Sequence, residues 1–201
     1  MRSNATVYWC PHALHTYLPQ FDSLFPRIAR GAGDCQIVFI EYQARIAEIF
    51  NQRLDRAFRA LDLRVEDYCV FLPRLKERDF VAAAGQCDVL LDSIGWSGCN
   101  SSLESLAHDL PIVTMPGPLM RGRHSMAMLK MMDVHETIAE TTDAYVSTAV
   151  RLASDRSWRI AIKNKISENK RKLYYDRTCI AALEEFLSGV ARRGVTAIGA
   201  V

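Results

Sequence analysis

The stretch that decides the fold reads Asp88-Val-Leu-Leu-Asp-Ser-Ile-Gly-Trp-Ser-Gly-Cys-Asn-Ser-Ser-Leu-Glu104. It begins as a short apolar run typical of a buried parallel strand, passes through a turn with two glycines, and becomes an amphipathic helix at Ser101. The free N–H groups and positive dipole end of such a helix form an anion site, for which phosphate is the natural guest. Because Ser101-x-x-Glu104 is also a capping-box pattern, an ordinary capped connection explains the same residues equally well.

Four more apolar runs with strand character occur along the chain, and helical patterns lie between them. The predicted strands cover residues 5–10, 35–40, 68–72, 88–92 and 112–115. Strands that alternate with helices predict an α/β protein with a doubly wound, Rossmann-like parallel sheet covered by helices on both faces. Ligands of such sheets bind beyond the carboxyl ends of the strands, near the point where the strand order reverses.

The helical patterns divide into those between the strands and those that follow them. We predict helices over 19–30, 76–84, 141–153, 157–173 and 176–188, one that starts at Ser101, and one whose buried face includes Ile46, Ile49, Phe50, Leu54 and Phe58. Gly31 and Gly33 follow a helix instead of a strand, which indicates a helix C-cap and argues against a dinucleotide-binding motif. We therefore expect a Rossmann-like lobe over 1–155, C-terminal helices packed on it over 156–190, and a tail over 191–201.

Composition excludes several classes of protein. Lys and Arg total 25 against 23 Asp and Glu, a balance too even to indicate a nucleic-acid or membrane surface. The six cysteines are scattered without a C-x-x-C pair, as expected for a protein of a reducing compartment without disulfides or a zinc site. No apolar segment approaches membrane-spanning length. These observations predict a soluble cytoplasmic protein that binds neither nucleic acid nor membrane.

Basic and histidine side chains follow two of the predicted strands. Arg121 and Arg123 lie before the helix after the fifth strand, where a bound anion would offset their conflict with the helix dipole. A solvated basic turn is the alternative, and it is the stronger one for Arg121. His12 and His15 follow the first strand, but without a carboxylate or metal-ligand spacing beside them, loop or capping roles are favoured. P-loop, zincin and α/β-hydrolase motifs do not occur in the sequence.

The residues from Asp88 to Gly117, followed by Arg121-Gly-Arg-His-Ser125, resemble the C-terminal catalytic lobe of the O-GlcNAc transferase and SPINDLY family. Shorter pieces agree with the same family: Cys10-Pro11, Tyr17-Leu-Pro19, Phe71-Leu-Pro73, Ile138-Ala-Glu140, Tyr145 and Ala149-Val-Arg-Leu-Ala153. The resemblance spans roughly residues 5 to 175, and its longest block is too specific for chance to be a good explanation.

The resemblance implies a single lobe of a glycosyltransferase-B fold, the lobe that binds the nucleotide sugar, with C-terminal helices. It implies that a UDP-sugar is the substrate and that no metal or other cofactor is needed. The implied nucleotide-sugar site comprises Leu75, Phe80, Gly98, Cys99, Asn100, Ser101, Glu104 and Arg123. The turn and helix start from Gly98 to Ser101 would hold the diphosphate, and Glu104 the ribose. The loop from Leu75 to Phe80 would frame the uracil, with the Phe80 ring stacked on the base.

Three departures from the family pattern concern charge. Thr16 stands where the family has a lysine that neutralises the leaving diphosphate, so the resemblance implies weaker stabilisation of the departing UDP. His15 or Arg123 could substitute for that lysine, and His15 and Thr16 are the catalytic candidates. Glu77 replaces a second family lysine, and Cys99 replaces a histidine beside the diphosphate.

The implied reaction is an inverting transfer of a sugar, GlcNAc, from UDP to a Ser or Thr hydroxyl of an acceptor protein. The acceptor surface would come from an N-terminal lobe and tetratricopeptide repeats, so we expect the chain alone to bind UDP-sugar weakly and to transfer nothing. Two alternatives remain: a non-catalytic nucleotide-sugar sensor, favoured by Thr16 and Glu77, and a lobe that docks on a partner chain, favoured by the late helices. A generic phosphate-receiver domain is disfavoured, because the first strand ends without the acidic residues that magnesium requires.

Overall fold

The computed structural model describes residue 2 and residues 4–198, with side chains described as far as residue 192. The chain divides into two compact units, Met1–Lys170 and Arg171–Val201. The sequence-based division into residues 1–155, 156–190 and 191–201 stays a prediction.

The first unit is built on a five-stranded parallel sheet with the strand order β3-β2-β1-β4-β5. The strands are β1 (Thr6–Cys10), β2 (Cys35–Glu41), β3 (Cys69–Pro73), β4 (Val89–Leu91) and β5 (Ile112–Val113). In the central strand β1, Trp9 pairs with Val38 on one side and Leu90 on the other. The α/β fold class and its parallel sheet are confirmed.

Helices connect the strands and close the first unit. They are α1 (Leu24–Ala32), α2 (Ala44–Arg59), α3 (Val65–Tyr68), α4 (Glu77–Ala84), α5 (Asn100–Ala107), α6 (His124–Met131), α7 (Thr142–Ser154) and α8 (Arg156–Asn169). Short 3₁₀ turns occur at Leu14–Thr16, Pro19–Phe21 and Met120–Gly122. Both α7 and α8 begin with a side-chain cap, since Thr141 and Asp155 accept backbone N–H groups from the first turn.

Helices cover both faces of the sheet, as alternation along β1 shows. The Tyr8 hydroxyl donates a 2.8 Å hydrogen bond to the carbonyl oxygen of Ala149 in α7. The next residue, Trp9, points to the opposite face, where its ring lies 5.4 Å from that of Phe80 in α4. Both strand residues are fully buried, so each face contributes to the core.

The stripe that α2 buries is narrower than the sequence pattern predicts. It consists of Ala47, Phe50, Leu54 and Phe58, and the rings of Phe50 and Phe39 of β2 lie 5.1 Å apart. Ile49, which we assigned to this face, is 50% exposed. Adjacent residues of a helix lie about 100° apart around its axis, so Ile49 falls outside the narrow buried stripe that contains Phe50.

The end of α1 also differs from the prediction. Gly31 lies inside the helix and faces Val150 of α7, so close that an added Cβ would be 2.6 Å from a Val150 methyl carbon. Gly33 alone ends the helix, with a φ of +71° that favours glycine.

The second unit contains α9 (Arg171–Tyr174) and α10 (Thr178–Ile198). The helix α10 runs past its predicted end at Ser188, because Gly189 does not adopt a left-handed cap and no proline follows. Residues 191–198, which we assigned to a tail, continue this helix, and residues 199–201 lie outside the described part of the chain. Among the described helices, none is long and apolar enough to span a membrane.

Candidate functional site

The strand order places one crevice at the centre of the sheet. From β1 the order runs to β2 and β3 on one side, and to β4 and β5 on the other. The loops that follow β1 and β4 therefore diverge at the carboxyl edge, which is where open α/β sheets bind ligands. Residues after β1 and β4 are the first candidates for a site.

Asp92, immediately after β4, organises this crevice. Its side chain is 2% exposed, and its carboxylate accepts hydrogen bonds from the hydroxyls of Ser97 and Thr114, each at 2.7 Å. It also accepts the backbone N–H of Gly98 at 2.8 Å. Because a buried carboxylate is tolerated only when it is hydrogen-bonded, these donors compensate for its burial and fix the turn before α5.

A chain of serine hydroxyls extends from this turn. The Ser97 hydroxyl lies 3.0 Å from that of Ser125 in α6, which in turn lies 2.9 Å from the hydroxyl of Ser102 in α5. The N–H of Ser125 donates to the Ser97 oxygen at 2.9 Å. All three serines are buried, so the turn, α5 and α6 are tied together beneath the crevice.

The helix α5 begins one residue earlier than its sequence pattern predicts. Its N-cap is Cys99, which makes no side-chain capping hydrogen bond, and Asn100 is its first residue. Ser101 is thus the second residue of the helix, and the predicted capping box with Glu104 is wrong. A helix without a side-chain cap leaves N–H groups of its first turn for a ligand or water. Cys99 and Asn100 are exposed, and Ser101 is half-buried.

Gly98 occupies the closest approach in the crevice. A Cβ added to it would lie 2.4 Å from both His12 Nε2 and the Ser102 hydroxyl, and 2.8 Å from the Ser101 hydroxyl. These distances are far shorter than ordinary van der Waals contact, so the turn requires glycine for space and not for its φ angle.

His12 lies at the centre of the crevice, although sequence reasoning set it aside. It is 7% exposed, and its Nε2 lies 3.6 Å from Oδ1 of Asp92, with no hydrogen-bond partner in the described part of the chain. Burial lowers its pKa from 6.5, and the Asp92 carboxylate opposes that change. Its position directly after the central strand is the sequence signal that could have identified it.

The two catalytic candidates after β1 lie in different places. Thr16 is buried, donates a 2.8 Å hydrogen bond to the Ala13 carbonyl, and lies 3.4 Å from the hydroxyl of Ser93 in the turn after β4. His15 is exposed and lines a separate cavity of about 60 Å³ beside Tyr42. The structure brings Thr16 to the crevice and turns His15 away from it.

Glu104 faces the residues that follow β2 and β3. It is half-buried, and both this burial and the nearby Glu77 carboxylate raise its pKa. Burial also raises the pKa of Tyr42, an effect that Arg74 opposes and Glu104 reinforces. Glu104 therefore lies within electrostatic range of the loop that we predicted to frame the uracil and ribose.

The predicted base-binding residues lie on either side of Glu77 in the sequence, the residue whose carboxylate acts on Glu104. Leu75 is half-buried in the loop after β3, and Phe80 is half-buried in the second turn of α4. Phe80 packs against Trp9 at 59° between ring planes, so its position is set by the core. Its role as a stacking partner for a base stays a prediction.

Arg123 is committed to the loop after β5. Its guanidinium donates to the carbonyl oxygens of Gly117, at 2.7 Å, and Pro118, and its backbone caps α6. Arg121 lies over the Trp96 ring at 5.2 Å, and its carbonyl accepts the N–H of Ser97 at 2.7 Å. Arg121 thus joins the loop after β5 to the loop after β4, whereas Arg123 stabilises the loop after β5 alone.

Metal-ligating side chains are not gathered in the described part of the chain: no group of three or more His, Cys, Asp or Glu could hold an ion there.

A family model described as glycosyl transferase family 41 matches residues 45–178, more than half of the chain. The chain belongs to glycosyl transferase family 41. The family-41 match includes β3, α4 and the whole of the turn from Asp92 to α5, whereas His12 and Thr16 precede its first residue.

Curated relatives of this family-41 chain include plant proteins named probable UDP-N-acetylglucosamine–peptide N-acetylglucosaminyltransferase SPINDLY. The protein from Solanum lycopersicum is 32% identical over 81 residues, 40% of this chain and 9% of that protein. The protein from Hordeum vulgare is 34% identical over 79 residues, 39% of this chain and 8% of that protein. The alignments therefore cover less than a tenth of these relatives.

Solved structures share the fold over nearly the whole chain. A mutant of the Thermobaculum terrenum O-GlcNAc transferase matches with a TM-score of 0.79 at 24% identity, over 95% of this chain and 36% of that one. The pneumococcal O-GlcNAc transferase GtfA, in complex with UDP and GlcNAc, matches with a TM-score of 0.54 at 12% identity, over 92% of this chain and 37% of GtfA. These neighbours are glycosyltransferases of the B type, and the family-41 chain corresponds to about a third of each.

Proposed function

We propose that the chain is the donor-binding lobe of an inverting glycosyltransferase, which transfers GlcNAc from a UDP-sugar to a Ser or Thr hydroxyl of a protein. The observation that carries the proposal is the turn that Asp92 pins before α5, where Gly98 makes its close approach at the switch point of the sheet. Membership of family 41 supports the reaction class, and the names of the relatives support UDP-GlcNAc as the donor.

The diphosphate would bind at the start of α5. The uncapped first turn offers backbone N–H groups, and the hydroxyl of Ser101 lies beside Gly98. Such fixed donors stabilise the charge that develops on UDP as the bond to the sugar breaks. The proposal includes no metal ion or other cofactor.

The nucleoside would extend across the carboxyl edge from α5 towards β3. Glu104 would accept hydrogen bonds from the ribose hydroxyls, and the loop from Leu75 to Phe80 would enclose the uracil. The raised pKa of Glu104 fits a carboxyl in an acidic, partly buried setting. Binding of a ribose diol there replaces water with two hydroxyl donors.

The acceptor side of the reaction lies outside this lobe in the proposal. An N-terminal lobe, and tetratricopeptide repeats before it, would supply the acceptor surface and any general base. We therefore expect the isolated chain to bind UDP-GlcNAc weakly and to transfer no sugar. We also place the protein in the cytoplasm, in keeping with its scattered free cysteines.

Titration of the purified chain with UDP, UDP-GlcNAc, GDP-mannose and inorganic phosphate tests the donor site. Calorimetry and thermal unfolding should show binding of the two uridine nucleotides, and weaker or no binding of the others. If none of the four ligands binds or raises the melting temperature, the donor-site proposal is wrong. Robust glycosylation by the chain alone would contradict the assignment of acceptor chemistry to a second lobe.

A non-catalytic nucleotide-sugar sensor is the second candidate. Thr16 favours it, because its buried hydroxyl is already bonded to Ala13 and supplies no charge to a leaving diphosphate. A two-lobe protein that binds UDP-GlcNAc but transfers nothing, with either Thr16 or a lysine at this position, would support the sensor.

A partner-docking lobe is the third candidate, favoured by large apolar side chains that are exposed on α10. These are Ile180, Leu183, Phe186, Leu187 and Val190. Size-exclusion chromatography separates the cases, since a clean monomer with an ordered α10 counts against docking between copies of the chain.

A further inference from the structure

Among the described residues of the proposed diphosphate site, His12 is the basic side chain that reaches the buried Asp92 carboxylate, with its Nε2 3.6 Å from Oδ1. Asp92 lies directly below the turn, whereas the guanidinium of Arg123 is bonded to loop carbonyls. His15 is exposed beside a different cavity, and Thr16 carries no charge. Two phosphate charges beside Asp92 would be repelled, and the repulsion is stronger in a partly buried crevice than in water.

We propose that His12 supplies the missing charge by taking up one proton from solvent when the diphosphate of a nucleotide sugar binds. The proposal rests on the proposed function and identifies the residue whose positive charge would offset the charges of the diphosphate and of Asp92. The proton returns to water when the nucleotide leaves, and no covalent bond changes.

The position of the imidazole supports this role. Its Nε2 is aimed into the start of α5: it lies 3.6 Å from Oδ1 of Asp92 and against Gly98, where an added Cβ would be 2.4 Å away. This nitrogen is buried without a hydrogen-bond partner in the described residues, which is costly unless a ligand or a charge completes its surroundings. Protonated, it would attract both the Asp92 carboxylate and a phosphate next to Gly98.

The groups that face the ring leave His12 as the one that changes charge. Asp92 faces it from the end of β4, and the Tyr17 hydroxyl lies 3.5 Å from its Nδ1. Tyr145 of α7 bonds to the Asp92 carbonyl, and Cys10 ends β1. Burial raises the pKa of Tyr17, Tyr145 and Cys10, so all three stay neutral near pH 7. Burial keeps free His12 neutral, and an added anion favours its charged form.

Calorimetric titration with UDP-GlcNAc, in buffers of different ionisation enthalpy, measures the proton uptake directly. UDP-GlcNAc is the suitable probe because each of its two phosphates is substituted on both sides, so neither has the second ionisation, with a pKa of about 6, of a phosphate monoester. We expect uptake of up to one proton per ligand. Affinity should fall by up to about tenfold per pH unit as the pH rises between the pKa of free and of bound His12.

His12→Gln should abolish both the proton uptake and the pH dependence of UDP-GlcNAc affinity. At low pH this variant should bind UDP-GlcNAc as weakly as the parent chain does at high pH. His15→Gln is the matched control, because it removes an exposed imidazole three residues away and should retain both effects. If His12→Gln does not fold, the imidazole NMR titration of the parent chain with and without UDP-GlcNAc gives the same answer. The signal of one histidine should titrate at a higher pH with UDP-GlcNAc than without it. The same signal should persist in His15→Gln, which shows that it does not belong to His15.

Clear binding of UDP-GlcNAc without proton uptake overturns this proposal and leaves the proposed function intact. Uptake that persists in a folded His12→Gln variant overturns it as well. Failure of every uridine nucleotide to bind contradicts the proposed function itself, and the proposal for His12 with it.

Discussion

The backbone N–H of Gly98 donates a 2.8 Å hydrogen bond to Oδ1 of Asp92, so the residue immediately after β4 fixes the turn that precedes α5. The other carboxylate oxygen accepts the hydroxyls of Ser97 and Thr114. A single buried carboxylate thus determines the direction from which backbone N–H groups of α5 approach a ligand. Fixed donors of this kind are what stabilise an anionic leaving group.

Replacement of Asp92 by Asn should destabilise the chain by about 1–3 kcal/mol, since an amide NH₂ would face donors that now bond to a carboxylate. Urea denaturation of the variant and the parent measures the change. Asp62→Asn is the matched control: Asp62 is exposed and has a φ of +53°, a conformation that Asn tolerates well, so its stability should be unchanged or slightly higher. Equal stability of Asp92→Asn and the parent would contradict the role given to the carboxylate.

Much of the sheet could be predicted because its physical signal is local. The strands are short apolar runs bounded by proline, glycine or charge, and the run from Val89 to Leu91 is fully buried as expected. The exposure of Ile49 could not be predicted in the same way, because which side of α2 meets the sheet depends on the aromatic cluster around Phe39 and Phe50.

Two features of the candidate site depend on tertiary contacts and could not be predicted from local sequence patterns. The capping box of Ser101 and Glu104 has the right spacing, yet the hydrogen bond from Gly98 to Asp92 sets the start of α5 one residue earlier. Likewise, His12 has no carboxylate near it in sequence, and its neighbour Asp92 is 80 residues away. Such contacts arise from strand pairing between β1 and β4 and cannot be read from spacing.

Gly98→Ala should abolish donor binding and destabilise the chain by about 1–3 kcal/mol, because the new methyl group overlaps His12 and Ser102 at 2.4 Å. Thermal unfolding with and without UDP-GlcNAc measures both effects. Gly189→Ala serves as control: this helical glycine has open space for a Cβ, so the same change should be neutral or stabilising by up to about 1 kcal/mol. Donor binding by a folded Gly98→Ala variant at the parent's affinity would show that the diphosphate does not lie against this turn.

The free chain should lose stability in mild acid through His12. Burial lowers the pKa of His12 below 6.5, its value in the unfolded chain, so below pH 6.5 the unfolded state binds a proton that the folded state excludes. This contribution is complete above pH 6.5 and is lost as the pH falls towards the folded pKa, at a limiting slope of about 1.4 kcal/mol per pH unit. Urea denaturation across this range should show a shallower decline for His12→Gln than for the parent and His15→Gln. An identical decline in all three chains would place the acid sensitivity elsewhere.

Thr16→Lys tests whether a fixed cation can replace the proton taken up by His12. Thr16 is 5% exposed and lies 3.4 Å from Ser93, so a lysine there would destabilise the free chain by burying an ammonium group. The same charge beside the diphosphate should tighten UDP-GlcNAc binding by about tenfold or more and reduce proton uptake. Thr16→Met introduces a side chain of similar length without a charge. It should destabilise the chain but should neither tighten UDP-GlcNAc binding nor reduce proton uptake. Calorimetry at two pH values separates the effects, and equal affinity of the parent, Thr16→Lys and Thr16→Met would favour the non-catalytic sensor, because the position would then not face the phosphate charge.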